Sequence, residues 1–129
     1  MNALILDTHV LLWWMLGSRK LSPKARSAIR NQDTAILVSS ASIWEIAIKT
    51  RKGTLQGCGD YLASFRQWHE RWGFSTLDIA PEHAALAGAL PIPLSDPFDR
   101  MLIAQSQLTG AALVTSDKSI HGAHASCWW

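Results

Sequence analysis

Three branched apolar residues, Leu4-Ile5-Leu6, run directly into Asp7 and Thr8, and this junction restricts the fold more than any other stretch of the chain. An unbroken aliphatic run of strand length is the pattern of a strand buried on both faces, the condition of strands in parallel sheets covered by helices on both sides. Such sheets bind ligands in the crevice beyond the carboxyl ends of their strands. Asp7 is therefore expected in that crevice.

Two further runs repeat the arrangement. Ala35-Ile36-Leu37-Val38 gives way to Ser39-Ser40-Ala41-Ser42, and Ala112-Leu113-Val114-Thr115 to Ser116-Asp117. Ser75 to Ile79 alternates polar with apolar residues and predicts a weaker strand at a sheet edge. Helical stretches separate these strands. His9 to Leu16 predicts a helix that Thr8 can cap and Gly17 stops. Pro23 to about Arg30 predicts one capped by Ser22, and Ile43 to about Arg51 one stopped by Gly53, with Glu45 in its first turn. Tyr61, Phe65, Trp68 and Trp72 mark a single helical face ended by Gly73. Pro81 to Leu90 and Asp96-Pro97 to Gly110 predict two more helices. The tail from Lys118 carries little pattern, apart from a short last strand expected within 124–129.

Strands alternate with helices and no repeat intervenes, so the expected fold is α/β: one domain over residues 1–129, with a parallel central sheet between two helical layers. At 129 residues and 48% hydrophobic, the chain can bury a core without disulfides or a structural metal. Cys58 and Cys127 have no partners at metal-ligand spacing and form no disulfide framework, which fits a reducing cytoplasm. Met1-Asn2-Ala3 leads into the first strand without a basic leader, and the longest apolar run, Val10 to Leu16, is far short of a membrane span. A cytoplasmic protein, neither exported nor embedded in a membrane, is expected.

In a right-handed parallel sheet, strand C-termini and the N-termini of the helices that follow them lie at one edge. Asp7, Glu45 and Asp117 should converge there, and Asp99 should join them through the start of its own helix. Singly, each acid also has a structural role open to it. Glu45 fits a capping box with Ser42 or a pair with Lys49 four residues on, Asp96 is an N-cap before Pro97, Asp99 favours the positive end of a helix, and Asp117 suits an Asx-turn. Collectively, carboxylates held close together repel one another and raise each other's pKa unless a cation is present. All-oxygen ligation favours Mg²⁺ or Mn²⁺ over zinc, and the implied chemistry is metal-assisted phosphodiester hydrolysis. With Asp7, Glu45, Asp96, Asp99 and Asp117 set in the cleft, five of the ten acids remain to balance twelve Lys and Arg. The body outside the cleft is then basic, about +7, which suits a polyanion held over an acidic site.

The segments Ile5 to Trp14, Ser42 to Lys49, Asp96 to Gln105 and Leu113 to Asp117 resemble, in order, the four acidic motifs of PIN-domain ribonucleases, and most of all the VapC-type toxins of bacterial toxin-antitoxin pairs. The resemblance spans Leu4 to Asp117. It implies that Asp7, Glu45 and Asp99 form the principal acidic triad and that Asp117 is the fourth, more variable acid. It also implies catalysis with Mg²⁺ or Mn²⁺, an RNA substrate, a homodimer, and a small cognate antitoxin that inserts a peptide near the site.

Thr8, Ser39, Thr115 and Ser116 adjoin the expected site and could hold a water or a phosphate oxygen, although caps and turns also account for them. Arg100, next to Asp99, is a candidate for the scissile phosphate, or else it faces solvent or a salt bridge. His9 is read as a packing or hydrogen-bonding residue rather than a base, and His121 and His124 as solvated tail residues rather than a zinc site. Seven tryptophans exceed what one small core buries, so the Trp13–Trp14 face and the Tyr61 to Trp72 stripe are expected to contribute partner contacts, with core burial as the alternative. Lys49, Arg51 and Lys52 either favour the negative end of their helix or guide RNA. Two rival functions remain: a receiver-type signalling domain with an acidic Mg²⁺ pocket, and a catalytically silent binding module.

Overall fold

The apolar runs do form the strands expected of them. The computed structural model describes residues 3–124 and 126–129. Met1 and Asn2, the expected lead into the first strand, and Ala125, within the expected last one, lie outside the described residues. Strand β1 (Ala3–Leu6), β2 (Ala35–Ser39), β3 (Phe74–Leu77), β4 (Ala112–Val114) and β5 (Cys127–Trp128) form one sheet in the order β3-β2-β1-β4-β5, and every pairing is parallel. The weakly patterned β3 is an edge strand, as its alternation predicts. Helix α1 (Thr8–Leu16), α2 (Pro23–Arg30), α3 (Ser40–Arg51), α4 (Gly59–Ala63), α5 (Phe65–Trp72), α6 (Pro81–Ala89), α7 (Pro97–Thr109) and α8 (Lys118–Ala123) complete the described elements.

Alternate strand residues supply two separate cores, as the pleat requires. Leu4, Leu6, Ile36, Val38, Ala112 and Val114 face the layer of α1 to α5. Ile5, Leu37 and Leu113 face the layer of α6, α7 and α8, which contributes Ala87, Leu102, Ile103 and Ile120. The chain builds outward from β1 through β2 to β3, then returns to lay β4 on the other side of β1. That reversal leaves the crevice between β1 and β4, where open α/β sheets hold their ligands.

Local chemistry sets most helix ends. Ser22 accepts from the Ala25 amide at 3.0 Å, and Asp96 Oδ1 accepts from the Phe98 and Asp99 amides. Gly53, at φ 77°, follows α3 in the left-handed conformation that lets the Thr54 amide reach back to the Lys49 carbonyl at 3.0 Å, a geometry glycine adopts without steric penalty.

Four expectations are corrected. Helix α3 starts at Ser40 rather than Ile43, because Ser39 supplies the cap by accepting from the Ala41 amide at 3.0 Å. Glu45 thus lies in the second turn, and the Ser42–Glu45 capping box does not form. Thr8 is the first residue of α1 and Asp7 the cap position, so the Thr8 hydroxyl is free to bond elsewhere. The aromatic stripe is broken at Ser64 into α4 and α5. Its faces still meet, since Tyr61 stacks on Trp72 at 6.1 Å. The segment after Asp117 is not irregular: it forms α8, whose first turn Asp117 caps.

Six of the seven tryptophans pack against the core, the alternative to partner contacts. Trp13, Trp14, Trp68, Trp72, Trp128 and Trp129 are partly buried against the first core, with Trp13 edge-on to Trp129 and Trp14 edge-on to Trp72. The exposed tryptophan is Trp44, at 59%. His69 is buried inside this aromatic layer, bonded to the Tyr61 hydroxyl at 2.7 Å and the Thr76 hydroxyl at 2.9 Å, and so ties α5 to the edge strand. Burial pushes its pKa down. His124 is likewise buried rather than solvated, its Nε2 2.8 Å from the Ser106 hydroxyl. No described helix is long and apolar enough to cross a membrane.

Candidate active site

The carboxyl edge of the sheet gathers the acids from four helix starts. Asp7 caps α1, Asp99 lies in the first turn of α7, Asp117 caps α8 and Glu45 lies in the second turn of α3. Helix N-termini carry partial positive charge, which favours acids there. Three of the four residues are thus placed by the same local rule.

Asp7 is the most enclosed, at 5% exposure, and stands at the β1–β4 crevice. Its amide donates to the Val114 carbonyl at 3.0 Å, extending the pairing of β1 with β4 by one residue. Its Oδ2 accepts from the Thr115 hydroxyl at 2.8 Å. Burial pushes its pKa up. The Thr115 hydrogen bond, the nearby His9 and the Thr8 amide pull it back, and the charge of Glu45 adds to the rise. Glu45 is 7% exposed, and its Oε2 meets the Lys49 ammonium at 2.8 Å. This is the only ion pair among the described residues, and it is the alternative partner that the four-residue spacing offers. Thr8 donates to the Ser42 hydroxyl at 2.9 Å inside the protein, pinning the start of α1 to α3 and so Asp7 beside Glu45. Ser42 entered the sequence reading only as a cap. Its true partner is 34 residues away and has no local signature.

Asp99 reports most directly on what surrounds it. Its pKa is pushed up to about 7, first by burial and then by the charges of Asp96, Asp7, Asp117 and Glu45. Every acid expected in the cleft therefore acts on this one carboxyl. Asp117 differs: it is exposed, and its Oδ1 accepts from the Ser119 hydroxyl at 2.6 Å and amide at 2.9 Å. The hydroxyl bond leads the causes that lower its pKa. One face of this carboxylate is thus committed to capping α8.

The remaining candidates divide. Thr115 touches Asp7, while Ser116 is exposed with no hydrogen bond from its side chain among the described residues. Ser39 is consumed as the cap of α3. His9 is exposed at the rim, and its charge acts on both Asp7 and Asp117. Arg100 turns away from the cleft. Its guanidinium donates to the carbonyls of Ala87, Gly88, Leu90, Ile92 and Leu94 at 2.6–3.4 Å, closing the end of α6 and the loop that leads into α7. Five N–H groups are all a guanidinium has, which leaves none for a phosphate. Arg100→Ala is therefore expected to destabilise the fold by about 2–4 kcal/mol, lowering Tm by roughly 10 °C, with KM for RNA unchanged. A raised KM at unaltered Tm would return Arg100 to the substrate.

The donor set fits a hard divalent cation. It is all carboxylate and hydroxyl oxygen, the preference of Mg²⁺ and Mn²⁺, and acids that raise one another's pKa are what such a charge relieves. Among the described residues no group of three or more His, Cys, Asp or Glu side chains lies close enough together to hold a metal ion as they stand. The fit is therefore one of donor chemistry and of charge, which acts across an open cleft at distances longer than a ligand bond. An ion here would keep waters in its shell, as Mg²⁺ usually does.

Comparison with known proteins gives three findings. The family model described as PIN domain matches residues 4–123. The chain is 33% identical over 121 residues to Ribonuclease VapC22 of Mycobacterium tuberculosis, covering 93% of this chain and 91% of that protein. In structure it is similar to VapBC2 from Rickettsia felis bound to a promoter DNA fragment, at TM-score 0.67 and 13% identity over 94% of this chain and 92% of that one. It is similar also to DNA-bound VapBC from Salmonella typhimurium, at TM-score 0.67 and 16% identity over 98% and 96% of the two chains.

Proposed function

The chain belongs to the PIN-domain family, and from that membership we propose that it is a metal-dependent endoribonuclease toxin held in check by a cognate antitoxin. The observation that carries the mechanistic part is the state of Asp99, a carboxyl brought near neutrality by burial and by the four other acids of the cleft. Asp7, Glu45, Asp99 and Asp117 are the residues that would hold Mg²⁺ or Mn²⁺. When bound, the ion supplies a water of lowered pKa and neutralises charge on the phosphate.

The chain's own residues prepare that site. The Thr115 hydroxyl fixes one Asp7 oxygen, and such supporting hydrogen bonds orient ligands. The Thr8–Ser42 bond holds α1 against α3. Lys49 balances Glu45 until a stronger cation competes for it. Substrate positioning falls to Ser116, exposed beside these acids, because Thr8 and Thr115 are buried with their hydroxyls bonded to Ser42 and Asp7 and Arg100 is engaged elsewhere. A homodimer and an antitoxin peptide near the cleft complete the reading, the antitoxin by analogy with the VapBC pairs among its structural neighbours. No described feature favours a receiver domain: β2 ends in Ser39, which caps α3, where an aspartate would be needed to accept phosphate.

The test is removal of metal. Purified protein is expected to cut RNA with Mn²⁺ or Mg²⁺ present and to lose at least about 10³-fold in rate with EDTA, given the several kcal/mol such ions contribute. Addition of the antitoxin should also stop cleavage. Full-rate cleavage in EDTA would overturn the metal reading, and an aspartyl phosphate in intact-mass spectra after treatment with a phosphoryl donor would favour the receiver.

A further inference from the structure

Outside the acidic cleft, α2 and the turn before it carry positive charge with no carboxylate to neutralise it: Lys24 lies 4.6 Å from the Trp128 ring, Arg26 donates to the Ser18 carbonyl at 3.1 Å and Arg30 lies 5.9 Å from the Trp14 ring. Arg19, Lys20, Lys24, Arg26 and Arg30 fall within twelve residues containing no Asp or Glu, and none of them has a carboxylate partner among the described residues. Lys24 and Arg26 even stand in the first half of α2, where the helix dipole disfavours cations. An open cavity of about 570 Å³ is lined by Arg19, Arg26 and Arg30. A second, of about 400 Å³, is lined by Arg30, Arg71, Trp14 and Trp72, with the amide side chains of Asn31 and Gln32 at its edge. Arg30 borders both, so the two are neighbours and are taken together as one trough. The second cavity also touches Thr34, Ile36 and Gly73, at the amino ends of β2 and β3.

We propose that this trough is an RNA exosite that grips single-stranded substrate some distance from the cut. The proposal rests on the ribonuclease reading above and adds to it a second place where substrate is held. Guanidinium groups without carboxylate partners suit phosphates, half-buried indoles suit base faces, and a cationic groove with aromatic walls is how single strands are bound without regard to sequence. The amides of Asn31 and Gln32 can meet base edges. An acidic peptide would use the arginines but not the indole walls. A strand of five residues separates the two edges by about 16 Å, about five stacked nucleotides in a straight line, so RNA that passes around the protein from cleft to trough must be longer than that.

The experiment compares a 20-nucleotide RNA with a 5-nucleotide one. In an Asp7→Asn background, which holds RNA without cutting it, fluorescence anisotropy is expected to show Arg19→Gln/Arg26→Gln/Arg30→Gln weakening the longer RNA by about tenfold or more. The slope of log K against log salt should fall by about 2, the value for three lost single-strand phosphate contacts, with the shorter RNA, which cannot occupy cleft and trough at once, losing less. Arg30→Gln and Arg71→Gln, single changes at exposed positions, each give a smaller drop in the same direction and serve if the triple variant fails to fold. Unaltered affinity and slope in folded variants would overturn the exosite. So would variants that lose the antitoxin while keeping RNA, because the surface would then belong to a protein. Cleavage of the 5-nucleotide RNA by the protein with Asp7 intact tests the cleft alone. Its failure, alongside an anisotropy difference on the longer RNA, would sink the ribonuclease reading and not the trough.

Discussion

Asp7→Asn is expected to give a folded protein whose RNA cleavage falls at least about 10³-fold, the loss that follows when an ion-binding carboxylate is removed from a site where the ion contributes several kcal/mol. The fold should survive because the amide oxygen of Asn accepts from Thr115 as Oδ2 of Asp7 does at 2.8 Å, in nearly the same volume. Stability should hold or rise. The carboxylate is 5% exposed and burial opposes its charge, so a neutral isostere relieves the strain of keeping it ionised. Thermal melts and initial rates on one preparation decide the matter: an inactive protein of unchanged or higher Tm is the expected pair. A folded, fully active and metal-independent variant would remove the mechanism.

The second large effect is on stability against pH in metal-free protein. The Asp99 carboxyl rises from 3.8 to about 7 on folding, so the folded protein holds this proton more tightly than the unfolded chain does. Its contribution is fully present below about pH 3.8 and is lost as pH climbs to 7. The shift alone corresponds to about 4 kcal/mol, but the group is only half buried, and screening by water reduces this to about 1–2 kcal/mol. His69 and His124, whose pKa values burial lowers, slope the opposite way in part of this window. Comparison with Asp99→Asn cancels them. In EDTA, the Tm of Asp99→Asn minus that of the unmodified protein should grow by roughly 5 °C between pH 5 and pH 8. Saturating Mg²⁺ should stabilise only the unmodified protein. A difference that stays flat with pH would mean that Asp99 ionises without opposition, and the acids would then not share one cleft.

How much of this the chain announces depends on whether the cause is local. β1, β2 and β4 are legible because buried parallel strands need continuous aliphatic runs. The Ser22-Pro23 and Asp96-Pro97 starts are legible because a cap and a proline sit side by side. The convergence of Asp7, Glu45 and Asp117 follows from strand and helix order alone, whereas Asp99, set apart from β3 by a loop and a helix, joins them only through the start of its own helix. The start of α3 was open, since Ser39 and Ser42 are equally good caps by composition. A tertiary bond, from Thr8 to Ser42, accompanies the outcome. Arg100 reads locally as a phosphate ligand beside an acid, yet five carbonyls from the end of α6 and the loop after it take all its donors. α8 is six residues long, too short for a periodicity to show. Trp13 and Trp14 are both partly buried because α5 and the C-terminal strand come to meet them, which the spacing within α1 does not reveal.

The position of β4 sets a limit on when the protein can do harm. It lies between β1 and β5, and Asp7 hangs from it through the Val114 carbonyl and the Thr115 hydroxyl. A nascent chain emerging from the ribosome has β1, β2 and β3 available long before β4, and until residues 112–117 are free it lacks one wall of its own cleft. The cleft is accordingly completed only after β4 has been synthesised, a delay built into strand order and needing no inhibitor.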